Sequence, residues 1–365
     1  MKISRFLMIM GSCVLSLMSL GAKAQETAIV QELDQIFKEN GFKGTALVSD
    51  NGQLVHQKGY GFAVIEWGVP NDIDTRYHIA TLSKTFTAAL IMMLVEEERI
   101  DLDDVISTYL PEYSAPYAKT VTIKQLLTHR SGISRQFKIP GWSKEKSRAS
   151  ISKSEFLSLI AAMPLEIKTD SGRHYSSANY YILGAIIEAI TGQEFGEALN
   201  ERILQPLNMI NSDIYYPGQV LSMLAHAYKP VKGRYSFCPP INGEYCLGGN
   251  VNLALFRASG SMYSNVSDLL KWDQALYGNN ILSKESKAFL FNSNTRAVWD
   301  VAEISISQKK VVELMIAHGE VEGYASLMVR IPKGKRTIIL LSNNGMSYEK
   351  LIGTALSIVE EFYTE

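Results

Sequence analysis

The sequence is poor in the residues from which metal and redox sites are built. Three cysteines occur in 365 residues, Cys13, Cys238 and Cys246, and none belongs to a paired-cysteine metal spacing. Six histidines are scattered without a His-Glu-x-x-His arrangement, so a metalloenzyme reading fails on ligand spacing and no cofactor is expected. The chain also lacks a Gly-rich phosphate loop. Neither sign of charge is in excess, with 36 Lys+Arg against 37 Asp+Glu, which leaves no basic surplus for a nucleic-acid partner. There is no internal repeat and no low-complexity tract. Beyond the first 24 residues no apolar run approaches the ~20 residues that a membrane-crossing helix needs.

What is present is a chain with 46% hydrophobic residues, ample for a large core. Met1 to Ala24 reads as a secretory signal. Lys2 and Arg5 form its positive region, Phe6 to Leu20 its apolar region, and Ala22-Lys23-Ala24 a cleavage site before Gln25. An uncleaved anchor, or a lipoprotein site at Cys13, is the alternative. Cleavage fits better because the apolar run is short and continues past Cys13. The expected product is exported, periplasmic or extracellular. In an oxidising compartment Cys238 and Cys246 could close a small loop, or could remain two free core residues.

The chain is organised around residues 77–90, where Thr81 and Lys84 open a long apolar helix. Positions i and i+3 share a helix face, so the hydroxyl and the amine point the same way. Burial lowers a lysine's affinity for its proton and fits it to activate a neighbouring hydroxyl. Upstream, Ile29, Leu33, Ile36 and Phe37 have helical spacing, and Asn40-Gly41 ends that helix. Asp50-Asn51-Gly52-Gln53 joins two β-rich runs as a hairpin. Three further runs, Val311 to His318, Tyr324 to Ile331 and Arg336 to Ser342, precede a closing amphipathic helix, Leu351 to Phe362. Ser264 or Ser267 is the expected cap of the helix entered at Val266.

Several stretches resemble the β-lactamase-related family, the penicillin-recognising serine hydrolases. Thr81-x-x-Lys84 stands at the family's Ser-x-x-Lys motif. The run Val121 to Ile133, ending His129-Arg130-Ser131-Gly132, is a further hallmark; there Thr122 reads as a helix cap and His129 as a scaffold residue. Tyr175-Ser176-Ser177 falls at the Tyr-x-Asn motif, and His318-Gly319-Glu320 at the Lys-Thr-Gly or His-x-Gly motif. The resemblance spans residues 27–362. It implies an α+β fold of the β-lactamase/transpeptidase type, with a five-stranded antiparallel sheet flanked by helices and a helical lobe. The expected division is an α/β lobe of about 25–80 and 225–365 and a helical lobe of about 81–224, within one domain 25–365.

The resemblance further implies Thr81 as nucleophile, with Lys84 and Tyr175 as base and proton relay. Ser177, Asn179, His318, Gly319 and Glu320 would bind substrate or the oxyanion. Three departures stand out: Thr81 for serine, Ser177 for asparagine (with Asn179 the nearest replacement amide), and Glu320 for glycine. A one-residue slip would let Gly319 take the glycine's role. Tyr175 as a packed loop aromatic and His318 as an ordinary edge-strand residue are the bland alternatives. Two functions follow. One is acyl-enzyme hydrolysis of an ester, an amide or a peptidoglycan-type peptide by a monomer. The other is a pseudoenzyme that binds a cell-wall peptide or a protein through the same cleft.

Overall fold

A computed structural model describes residues 28–216, 218–237, 252–307, 310–321 and 323–363. The signal segment and the Cys238–Cys246 pairing lie outside these residues. Helix α1 (28–39) ends at Gly41, whose φ of +63° suits a residue without a Cβ. Strands β1 (Gly44–Asp50) and β2 (Gln53–Tyr60) follow. The rest of the main sheet comes from the far end of the chain: β3 (Asp300–Ser307), β4 (Lys310–Val321), β5 (Tyr324–Ile331) and β6 (Arg336–Ser342). Their order is β3-β4-β5-β6-β1-β2, antiparallel throughout. Pairing from Thr45↔Leu341 to Ser49↔Thr337 joins the two ends of the chain.

The sheet therefore has six strands where five were expected. The addition is β3, an edge strand paired to β4 from Asp300↔Ile316 onwards. Its sequence alternates Ile304 and Ile306 with Glu303 and Ser305, so it offers one weak apolar face and reads as polar.

Both faces of the sheet are covered. On one, Ala46, Val48, Leu327 and Ile338 meet α1 and the closing helix α5 (Tyr348–Glu361). On the other, Leu47, Ala317, Met328 and Ile339 join a larger core built on α2 (Lys84–Glu96) and α3 (Ser177–Thr191). Ten of the thirteen α2 residues are buried, as expected of a helix that is apolar on every side. Helix α4 (Val266–Ala275) stacks Trp272 on Phe86 of α2, with ring centroids 4.4 Å apart. Its cap is Asn265, which accepts the Asp268 amide at 2.9 Å, and neither Ser264 nor Ser267. Thr122 caps its helix as expected, in a reciprocal capping box with Gln125. Among the described residues no helix is long and apolar enough to cross a membrane.

One approach positions everything that follows. The turn Ala80–Ser83 lies directly against β4 at Gly319. A Cβ on Gly319 would sit 2.4 Å from the Ile79 carbonyl oxygen and 2.6 Å from the Thr81 nitrogen. Ser326 of β5, paired with Gly319, donates its hydroxyl to the same Ile79 carbonyl at 2.7 Å. Gly319→Ala should therefore lower stability by about 1–3 kcal/mol, the usual range for overpacking a tight contact. Gly353→Ala in α5, where a Cβ meets nothing within 4 Å, should instead stabilise by about 0.5–1 kcal/mol. Urea unfolding midpoints check both; an unchanged midpoint for Gly319→Ala would remove the tight contact from the account.

Candidate active site

The turn that carries Thr81 is held from three directions. Tyr77–His78 pairs with Met262–Ser264, and the Ile79 amide donates to Met262 O at 3.0 Å. Ala80 adopts φ +49°, a left-handed conformation that an alanine takes only under constraint. Ser83 points inward, donates to Ala80 O at 2.6 Å and accepts the Met262 amide at 3.3 Å. It is a fastener of the turn, which leaves Thr81 as the hydroxyl on the cavity.

Lys84 starts α2 and is 2% exposed. Its Nζ donates to Ser259 O at 2.5 Å and lies 5.4 and 5.6 Å from the ring centroids of Tyr175 and Tyr180. Burial pushes its pKa below the usual lysine value, and Arg135 adds to this; the neighbouring Tyr175 opposes both. Tyr175 Oη is 3.4 Å from Thr81 Oγ1 and 3.3 Å from Ser177 Oγ. Burial alone would raise the phenol. The Lys84 charge, together with hydrogen bonds from Ser177, Thr81 and Lys84, outweighs it and brings the pKa down to about 8.

His129 is a support beneath this pair. Its backbone has φ +55°, its Nδ1 accepts the Ser176 amide at 3.3 Å, and its carbonyl accepts the His174 amide at 2.6 Å. Burial first, then the charges of Arg173 and Lys84, hold it neutral. Asn179 belongs to the same support and does not reach the cavity. It is fully buried, accepts from Ser131 Oγ at 2.8 Å and sits 3.3 Å from His129 Nδ1. Its place two residues after the start of α3 turns its amide into the helical core, which corrects its expected part as the replacement for the motif amide. Ser177 is the residue that touches Tyr175.

On the opposite wall Glu320 lines the cavity and Gly319 lies behind it. Gly319, not Glu320, is the residue pressed onto the Thr81 turn. Glu320 sends its carboxylate to the start of α5, where Oε1 accepts the Tyr348 amide at 2.7 Å. His318 stacks on Tyr348 with centroids 4.2 Å apart. Burial lowers its pKa, against the opposing charges of Asp300 and Glu320.

A cavity of about 360 Å³ lies between the walls. Thr81, Lys84 and Tyr175 line it together with His318 and Glu320. Gly319 is packed behind it. Arg135, Arg173 and Asp300 also line it. These three are single charged residues in loops or at a strand end, with no spacing pattern that could have singled them out. Among the described residues no group of three His, Cys, Asp or Glu is placed to hold a metal ion.

Comparison with known proteins agrees with this geometry. A family model described as Beta-lactamase matches residues 28–356. A putative penicillin-binding protein PbpX from Bacillus subtilis is 27% identical over 327 residues, covering 88% of this chain and 75% of the relative. A teichoic acid D-alanine hydrolase from Staphylococcus aureus is 27% identical over 222 residues, 60% of this chain, and is matched over only 53% of its own length. The solved D-amino acid amidase from Ochrobactrum anthropi SV3, complexed with L-phenylalanine amide, shares the fold at TM-score 0.74 and 21% identity, over 92% of this chain and 99% of that one. With its family model matched over most of its length and the three motif regions gathered at one cavity, the chain belongs to the β-lactamase family.

Proposed function

We propose that the protein is an exported hydrolase that cleaves an ester or amide through an acyl-enzyme on Thr81. The observation that carries the reading is the contact of Tyr175 Oη with Thr81 Oγ1 beside the buried Lys84. Lys84 Nζ donates to Ser259 O and keeps two further N–H donors for Tyr175, so its part is to hold positive charge beside the phenol, and Tyr175 is the group that moves the proton. Thr81 Oγ forms a bond to the substrate carbonyl carbon while its proton passes to the Tyr175 phenolate. Collapse of the adduct breaks the bond to the leaving oxygen or nitrogen, which takes that proton from Tyr175. Water then attacks the acyl carbon, gives its proton to Tyr175, and Thr81 leaves as the free hydroxyl once reprotonated. The Thr81 amide and an amide on β4 after His318 would stabilise the oxyanion. The named relatives, one acting on teichoic acid D-alanine and one on D-amino acid amides, support an aminoacyl ester or amide as substrate.

Two experiments test this reading. In the first, intact-mass measurement after fluorophosphonate treatment should show one adduct on the wild type and on Thr81→Ser, and none on Thr81→Ala. No adduct on the wild type or on Thr81→Ser would overturn the acyl-enzyme. The second is the pH profile. Because Tyr175 works as phenolate and its pKa is lowered to about 8, kcat/KM should rise about tenfold per pH unit below pH 8 and level off above it. Lys84→Met removes the charge that lowers Tyr175, so the rising limb should move to higher pH. A flat profile from pH 6 to 9 would exclude Tyr175 as the base.

A further inference from the structure

Lys84 is held by a turn that lies outside the three motif regions. The segment Leu253–Ser259 presents two successive carbonyls to α2: Ala258 O accepts Thr87 Oγ1 at 2.6 Å, and Ser259 O accepts Lys84 Nζ at 2.5 Å. The same segment rests on α3, so closely that a Cβ on Gly184 would overlap the Ala258 side chain. Arg257, immediately before the two carbonyls, has φ +36° and ψ −121°. This is close to the conformation that glycine takes at the first central position of a type II′ turn, and an arginine keeps it only where its surroundings hold it there.

The surroundings are an ion-pair cluster. Arg257 Nη2 donates to Glu188 Oε1 of α3 at 3.1 Å and to Glu194 Oε2. Glu188 is 8% exposed and is fixed in turn by Lys153 at 2.5 Å and by the Phe195 amide at 3.0 Å. A buried carboxylate tied to a helix makes a firm anchor for a guanidinium. None of these charged groups lines the cavity that holds Thr81, and the proposed chemistry uses none of them. Resting on the reading of Lys84 and Tyr175 as the working pair, we propose that Arg257 is a positioning residue: its pairing with Glu188 and Glu194 holds the strained turn that keeps the Ser259 carbonyl on Lys84, and so keeps the ammonium beside Tyr175. The groups that face Lys84 and Tyr175 directly are His129, Tyr180, Arg135 and Arg173 on the helical side, with His318, Asp300 and Glu320 across the cavity. Arg257 acts on the pair through the Ser259 carbonyl. Once that carbonyl turns away, the buried ammonium lacks an acceptor, its charge is weakened, and burial raises the phenol.

The ionisation of Tyr175 can be read without turnover in the full-length protein, as the near-ultraviolet phenolate absorbance that the wild type has and Tyr175→Phe lacks. Arg257→Gly removes the ion pairs but suits the backbone at this position, so the fold should survive, which thermal unfolding checks. In this variant the Tyr175 step, near pH 8 in the wild type, should move up by about half a pH unit or more. Glu188→Gln should move it in the same direction, although it removes charge of the opposite sign, and Arg257→Lys should return part of the shift. Shifts in opposite directions for Arg257→Gly and Glu188→Gln would mean simple long-range electrostatics and would overturn the proposal. So would a step that stays in place in both variants, or a wild-type Tyr175 that ionises only at the ordinary tyrosine value of about 10. Failure of the acyl-enzyme itself reads out separately, as absent fluorophosphonate labelling of the wild type.

Discussion

The site depends on one backbone approach, the Ala80–Ser83 turn lying on β4 at Gly319. With 2.4 Å between the Ile79 oxygen and where a Cβ would sit, no other residue type fits without moving the strand or the turn. The contact ties the first catalytic segment, near residue 80, to a strand more than 200 residues later. Ser326 Oγ, donating to Ile79 O, and Ser83 Oγ, donating to Ala80 O, hold the turn against the sheet. That hold also maintains the left-handed Ala80, a conformation costing on the order of 1–3 kcal/mol if unsupported. The strain falls immediately before the residue whose hydroxyl must be aimed.

From that fixed turn the electrostatics follow. Lys84 is buried because α2 is apolar on every side, and a buried ammonium needs a partner. Ser259 O supplies one at 2.5 Å, and the Tyr175 oxygen, once ionised, supplies the charge. The two groups titrate as a pair: burial disfavours both charged forms, and each charge favours the other. His129, neutral and bonded to the Ser176 amide and Asn179, fixes the loop on which Tyr175 rides. The support below Tyr175 is thus polar but uncharged, so burial, which raises the phenol, is opposed chiefly by the Lys84 charge.

The sequence made the fold legible because its signals are long and repeated. The all-apolar α2, the Asn51-Gly52 hairpin and the Thr122 capping box each specify local structure, and their order specifies the rest. β3 escaped because an edge strand needs only one apolar face and this one is short. Thr81 and Lys84 were legible by their i, i+3 spacing and Tyr175 by its resemblance to a family motif, and all three line one cavity. Asn179 was misplaced because counting residues cannot tell which side of a helix start faces a cavity. Glu320 lines the cavity as the motif position implies, while Gly319, one position away on the other face of the strand, packs against the Thr81 turn instead of meeting substrate. Arg135 and Arg173 left no trace, since a lone arginine in a loop gains meaning only from what folding sets beside it.

The threonine itself can be weighed physically. A β-branched side chain has restricted χ1, so its hydroxyl must be right in one of few rotamers. In an unconstrained loop that would be a handicap. Here the turn is already immobilised by Gly319, Ser326 and Ser83, and Thr81 Oγ1 in its observed rotamer reaches Tyr175 Oη at 3.4 Å. A shortening of about half an ångström would bring the pair within ordinary O–H···O range. The stiffness of threonine and the stiffness of the turn therefore act together. Serine at this position would add rotamer freedom at the cost of the restriction that holds the hydroxyl toward Tyr175.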